Sequence, residues 1–266
     1  MENNDKPILH KYLPMFVVFV FAITLYFNYV ASAGKSAKIV SDKYLNLFTP
    51  APITFLIWGV IYLGLAAFVV WQLLPALRSN GSDASSRADT PIKVLFMVSC
   101  VLNACWILSW SAEDLGVCVL LIIGLLSTLI AINLRVFMRL PNTSSNRLFL
   151  RLPFGIYLGW VSVATIANIS AFLVQVRWDG FGVSPTIWAI LVVLTGGMIA
   201  FWNLRKFNNI GFGLAVMWGF VGILIARTAD SAAFVTPMNV VLIAFIVGIG
   251  VGVVRSLRGW LGSTGY

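Results

Sequence analysis

The chain has 266 residues, of which 60% are hydrophobic and only 10% charged, and its mean hydropathy is +0.94. Soluble domains carry about 25% charged residues, so this chain lacks the charge to solvate a water-facing surface, and its surplus apolar surface must face lipid. The net charge of +9 does not signal nucleic acid, because the basic residues sit in the gaps between apolar runs, with no basic stripe interleaved with aromatics.

A membrane span needs about 20 mostly apolar residues. Eight such runs follow one another at roughly 12–33, 53–77, 92–110, 115–138, 152–176, 185–204, 209–227 and 232–254. Runs of this length exclude barrel strands, which need about 10 alternating residues. The expected fold class is therefore all-α, a polytopic transmembrane helical bundle. Ala31-Ser32-Ala33 after the first run resembles a signal-peptidase site, but the stretch from Leu13 to Val30 is longer than a usual signal core, which favours a retained span. The linker 78–91 is polar and rich in Gly and Ser. The linker 139–151 carries turn residues and three arginines, and Pro153 reads as the opening of the fifth helix. The sixth and seventh runs are separated by a turn around Asn208 so short that they could form one re-entrant pair. Of the 18 Lys and Arg residues, 13 fall on the side of the two termini and 5 on the other. The positive-inside rule then places both termini in the cytoplasm, in a multi-pass integral membrane protein.

Ionisable residues inside spans mark proton or ion pathways, and this chain nearly lacks them. Glu113 and Asp114 lie in the short loop between the third and fourth runs, Arg135 near a span end, and Arg227 and Asp230 at ion-pair spacing. Cys100, Cys105 and Cys118 fall in or beside apolar runs without a CxxC spacing and read as inert buried thiols. The lone histidine, His10, lies near the N-terminus, so His-based metal or haem ligation has almost no material. With no Ser/His/Asp set and no phosphate loop, covalent catalysis is not implied. The sequons at Asn80, Asn142 and Asn168 read as chance.

The spans do carry aromatics with a few amides. Phe55, Trp58 and Tyr62 share one helical face; so do Ser99, Asn103, Trp106 and Trp110, and so do Tyr157, Trp160, Ala164 and Asn168. At about 1.5 Å rise per residue, Trp58 and Tyr62 lie ~8 and ~14 Å below the face opposite the termini, Asn103 and Trp106 ~11 and ~6 Å, and Asn168 and Ala164 ~12 and ~18 Å, with Trp160 deeper as a floor. Three helices thus offer rings and amides at matching depth. Such a cavity suits a flat, mostly apolar ligand, stacked on ring faces and oriented by one or two amides. The lysine-bearing loop 34–52 sits above, where its three lysines would attract acidic substituents. The competing reading is plain helix–helix packing, with asparagines as interhelical glue.

The order Phe48-Thr49-Pro50, Trp58-Gly59-Val60-Ile61-Tyr62, Leu102-Asn103-Ala104-Cys105-Trp106, then Pro153, Tyr157, Trp160, Ala164-Thr165 and Asn168 resembles the TspO/MBR family, that of the tryptophan-rich sensory and translocator proteins (peripheral benzodiazepine receptor). The resemblance covers roughly residues 12–178. It implies a five-helix core (1–178), followed by a three-helix extension (179–266). It also implies a ligand-binding or sensory membrane protein that takes porphyrin-like, sterol-like or other flat apolar ligands between its helices. Carried over by motif, Trp58, Tyr62, Asn103, Trp106, Trp160 and Ala164 line that pocket, and Phe55 and Asn168 join them from the pattern of the spans. No cofactor is required, a tetrapyrrole is a candidate ligand, membrane lipids are the surroundings, no nucleic acid is expected, and a homodimer is implied. Two departures stand out: no tryptophan occurs between Gly34 and Ile57, and no tyrosine between Ala167 and Arg177, which weakens a sterol role. The alternatives are a transporter of such ligands, a porphyrin-degrading membrane enzyme, and a structural protein without a small ligand.

Overall fold

The computed structural model describes residues 9–31, 37–78, 89–230 and 236–262. The Ser32-Ala33 end of the signal-peptidase-like site, Lys35, the linker 79–88 with its sequon at Asn80, and the side chains of His10, Lys38 and Asp230 lie outside what it describes, and so therefore does the expected Arg227–Asp230 pair.

Among the described residues eight helices are long and apolar enough to cross a membrane. They are α1 (Leu9–Tyr26), α2 (Ile57–Arg78), α3 (Thr90–Ser111), α4 (Leu115–Met138), α5 (Leu152–Gln175), α6 (Pro185–Phe207), α7 (Ile210–Asp230) and α8 (Pro237–Gly262). No strand occurs among the described residues. In hydrocarbon every backbone N–H and C=O must be satisfied within the segment, and a helix does this. Their outward faces are apolar, with Phe19, Leu63, Leu120 and Val247 all exposed, as lipid contact requires. Cys100 and Cys118 are buried, whereas Cys105 is exposed.

The connections follow from local chemistry. Asp114 accepts a hydrogen bond from the Val117 N–H and caps α4, and Ser184 accepts one from Ile187 and caps α6. Asn208 ends α6 in the left-handed region, at φ 52°, which asparagine tolerates better than most residues. Asn209 then accepts from the Phe212 N–H at 3.1 Å and starts α7. With 23 and 21 residues, α6 and α7 are two full-length helices joined by this tight turn rather than a re-entrant pair of short ones. Pro153 stands in the first turn of α5, as its missing N–H favours. The turn Ser144–Asn146 and a π-helical turn Arg147–Arg151 lead into it, and a π turn is a place where a helix absorbs local irregularity.

α5 and α7 lie at the centre, and α1 and α8 are more open to lipid. α5 packs along α4 on one side and α7 on the other; α1 lies on α3, and α6 and α8 flank α7. The α5–α7 contact is built on small residues. Gly155 and Gly159 form a GxxxG step facing Gly211 and Ala215, a spacing that lets two backbones approach closely. A Cβ on Gly159 would come within 2.7 Å of the Phe212 carbonyl oxygen, and one on Gly211 within 2.6 Å of the Leu152 carbonyl. Asparagines tie the same seam together: Asn133 of α4 donates to the Phe154 carbonyl of α5 (3.1 Å), and Asn209 donates to Asn133 (3.2 Å).

Candidate functional site: an aromatic cluster under the first loop

The three stripes read from the sequence converge. Trp58 of α2 is stacked on Tyr62, with centroids 5.7 Å apart and planes at 20°, and lies 5.6 Å from Trp106 of α3. The edges of Tyr157 and Trp160 of α5 each approach Trp58 at 6.2 Å. Such tilted and edge contacts contribute roughly 0.5–1.5 kcal/mol each beyond their buried area. The amides bridge helices: the Trp106 Nε1–H donates to Asn168 Oδ1 (2.9 Å), and the Tyr62 hydroxyl donates to Asn103 Oδ1 (3.0 Å). The depth match between α2, α3 and α5 is therefore realised in direct contacts.

Two details differ from expectation. Trp160 is a wall, not a floor, because the ring of Phe55 also lies 6.2 Å from it. The chain reaches Phe55 through a 3₁₀ turn, Pro52–Leu56, that presses Thr54 against Gly222 of α7. The Ala51 N–H donates to the Gly222 carbonyl (2.9 Å), and the Trp218 indole N–H to the Thr54 carbonyl (2.9 Å). The return of the loop is thus anchored by the extension, a role the sequence reading left unassigned. The second difference is α1. Asn28 donates to Asn103 Oδ1 at 2.8 Å, Thr24 to the Cys100 carbonyl at 3.2 Å, and Tyr29 meets Tyr62 edge-on at 5.8 Å. Asn28 and Tyr29 lie in a π-helical turn, Phe27–Ala31, that continues α1 inside the first apolar run; the polar Asn28 within that stretch was the available signal.

The hollow within the cluster is small, about 30 Å³, little more than one water occupies. Phe55, Trp58, Trp106, Trp160, Ala164 and Asn168 line it, whereas Tyr62 and Asn103 seal it from below. Ala164, Ala167 and Ala171 give its α5 side a strip of small residues, and Tyr44, Asn46 and Pro50 of the loop roof it. A tetrapyrrole does not fit in this closed form. Two buried donors inside the cluster make no hydrogen bond with any described residue: Nδ2 of Asn103, which is fully buried, and Nε1 of Trp160, which is 2% exposed. A buried polar group without a partner costs about 1–3 kcal/mol.

The roof is fastened at its rim. Glu113, held at φ 64°, accepts a hydrogen bond from Lys43 Nζ (2.6 Å) and a longer one from the Tyr44 hydroxyl (3.4 Å), while Gln175 at the end of α5 donates to the Glu113 carbonyl (3.3 Å). The hydrogen bond to Glu113 holds the Lys43 ammonium above its usual pKa of 10.5. Of the three loop lysines, the one whose side chain is described is therefore engaged with the α3–α4 turn rather than turned to a ligand.

Eight apolar helices, three of which enclose a ring-lined hollow under the first loop, define a polytopic helical membrane protein. The family model described as TSPO-like protein matches residues 13–254. The chain belongs to that family, and the match runs from α1 into α8, so the last three spans fall inside it. No curated protein and no solved structure gives a match.

Proposed function

We propose that this TspO-type membrane protein binds a flat, mostly apolar ligand, with tetrapyrroles among the candidates, in the aromatic cluster of α2, α3 and α5. The observation that carries the reading is the pair of unpaired donors, Asn103 Nδ2 and Trp160 Nε1, buried among stacked rings. A ligand acceptor would satisfy a donor whose isolation otherwise destabilises the fold. The closed form holds about 30 Å³, so binding requires the roof of residues 41–50 to lift and the rings of Phe55 and Trp58, both half-buried, to part. Binding and sensing are favoured over passage through the bundle because Tyr62, Tyr157 and Asn103 close the cluster on the side of the termini. The termini are assigned to the cytoplasm on the 13-to-5 placement of Lys and Arg; an epitope at the C-terminus that antibody reaches in intact cells would reverse that assignment.

The reading is tested by titrating the purified protein with a porphyrin and following the porphyrin's absorbance. Wild type should saturate, and Trp58→Ala and Asn103→Ala should bind at least about tenfold more weakly, as expected for loss of a stacking face or a hydrogen bond. Equal binding by all three proteins would remove the cluster as the site.

A further inference from the structure

A second and far larger hollow lies away from the aromatic cluster, where the first five helices meet the last three. It measures about 500 Å³ and is walled by α4, α5, α6 and α7, within the size range of small-molecule sites. Its mouth opens sideways into the bilayer. The rim residues Ile130 and Leu134 of α4 and Ile199 and Trp202 of α6 are 42–52% exposed. Among the described residues no charged side chain lines it, so an ionised lipid group inside would be desolvated without a partner.

The polar groups on its wall are not equivalent. Ser162, Thr165 and Thr195 each donate back to the carbonyl four residues earlier in their own helix, at 2.7–2.8 Å. Asn133 and Asn209 are tied to each other and to backbone. Asn203 differs. It is 8% exposed, its amide nitrogen makes only one long bond, 3.4 Å to the Ile199 carbonyl, and its side-chain oxygen accepts none among the described residues. One N–H and one C=O of a single buried amide are thus open toward an otherwise apolar hollow. A hydroxyl group, donor and acceptor at once, satisfies both. Position agrees. Asn203 is four residues from the end of α6 at Phe207, roughly 6 Å below the face of the termini, while Thr195 and Gly196 mark the other end of the hollow about 11–12 Å further into the bilayer. A lipid whose hydroxyl sits just under the headgroups and whose body runs inward meets this arrangement in its ordinary orientation.

We propose that this crevice is a lateral binding site for an uncharged lipid alcohol, entering from the leaflet on the side of the termini between α4 and α6 and oriented by Asn203. The site is independent of the aromatic cluster. The test uses the full chain in bilayer nanodiscs, photolabelled with diazirine analogues of hexadecanol and hexadecanoic acid at equal mole fraction, with labelled peptides located by mass spectrometry. The hexadecanol probe should label residues 126–137 and 195–207 in preference to the acid. Asn203→Leu should cut that labelling about tenfold, and Asn203→Gln, which keeps an amide donor and acceptor, should retain most of it. Thr195→Trp, placed at an exposed position on the mouth, should block labelling by filling the hollow, and it serves if Asn203→Leu does not fold. Equal labelling by alcohol and acid, or labelling unchanged in Asn203→Leu and Thr195→Trp, would show that bulk bilayer lipid merely fills the gap and would overturn the proposal.

Discussion

Asn103 is the hinge of the candidate site at the scale of single residues. Its side-chain oxygen receives Asn28 from the turn after α1 and Tyr62 from α2, while its nitrogen is left open among the described residues. Asn103→Ala should therefore lower stability by about 1–2 kcal/mol, since interhelical hydrogen bonds in membranes are worth roughly 0.6–2 kcal/mol, and weaken the ligand as well. Trp160→Phe should separate the two effects. It keeps a ring against Phe55 and Trp58 but deletes an indole N–H that has no partner. Thermal melting in detergent should show unchanged or slightly raised stability, and ligand affinity should fall about tenfold if the N–H meets an acceptor. A melting temperature that drops as far as in Asn103→Ala would mean that the indole is structural. The spacing of Phe55, Trp58, Tyr62, Asn103, Trp106 and Asn168 was legible because helical periodicity fixes which residues share a face. The closed volume was not legible, because a sequence gives the lining of a cavity but not how tightly its rings interlock.

Glycine position separates packing from mere occurrence at the scale of elements. Gly159 faces α7 so closely that a methyl group would meet the Phe212 carbonyl and the Ala215 side chain, whereas a Cβ on Gly59 would meet nothing within 4 Å. Gly159→Ala should cost about 1–3 kcal/mol, as overpacking does. Gly59→Ala should be neutral or stabilising by about 0.5 kcal/mol, since alanine restricts the unfolded chain and favours helix. Thermal unfolding of the two variants side by side checks the contrast, and equal effects would contradict the α5–α7 packing. The eight spans were readable because bilayer thickness sets the length of an apolar helix. Their pairing was not. Gly248-Ile249-Gly250-Val251-Gly252 is the denser glycine run, yet the close backbone approaches are made by Gly155, Gly159 and Gly211. A GxxxG step does not name its partner; only the arrangement of neighbouring helices does. Asn28 was missed for a related reason: α1 has the composition of a simple anchor, and its polar contact is made 75 residues away.

The whole molecule joins the first five helices and the last three along the α5–α7 seam, at the 3₁₀ turn Pro52–Leu56 held by Trp218 and Gly222, and through Arg147, which donates to the Trp260 carbonyl at 2.9 Å. A chain ended after Trp178 would expose the Gly155–Gly159 face and release that turn, so it should not give a monodisperse, cooperatively melting species in detergent. Recovery of a stable, ligand-competent 1–178 protein would show the extension to be an accessory. The roof over the cluster belongs to the same scale, since the Lys43–Glu113 contact links the first loop to the α3–α4 turn and through Gln175 to α5. Glu113→Gln should speed ligand entry and release with little change in melting, because exposed pairs contribute little to stability. The Lys43 pKa is raised above 10.5 by Glu113, so the fastening is complete below pH 10.5 and is lost as pH rises through the elevated value; exchange in wild type should accelerate only in that alkaline range.

A flat ligand is proposed to take the place of the small void between Trp58, Trp160 and Ala164. The most direct test is the thermal shift produced by a porphyrin on the detergent-solubilised wild type and on Ala164→Trp, whose added ring occupies that void. A ligand that binds only the folded form must raise its melting temperature by mass action. Wild type should show a concentration-dependent rise and Ala164→Trp none; an equal rise in both would place the porphyrin elsewhere.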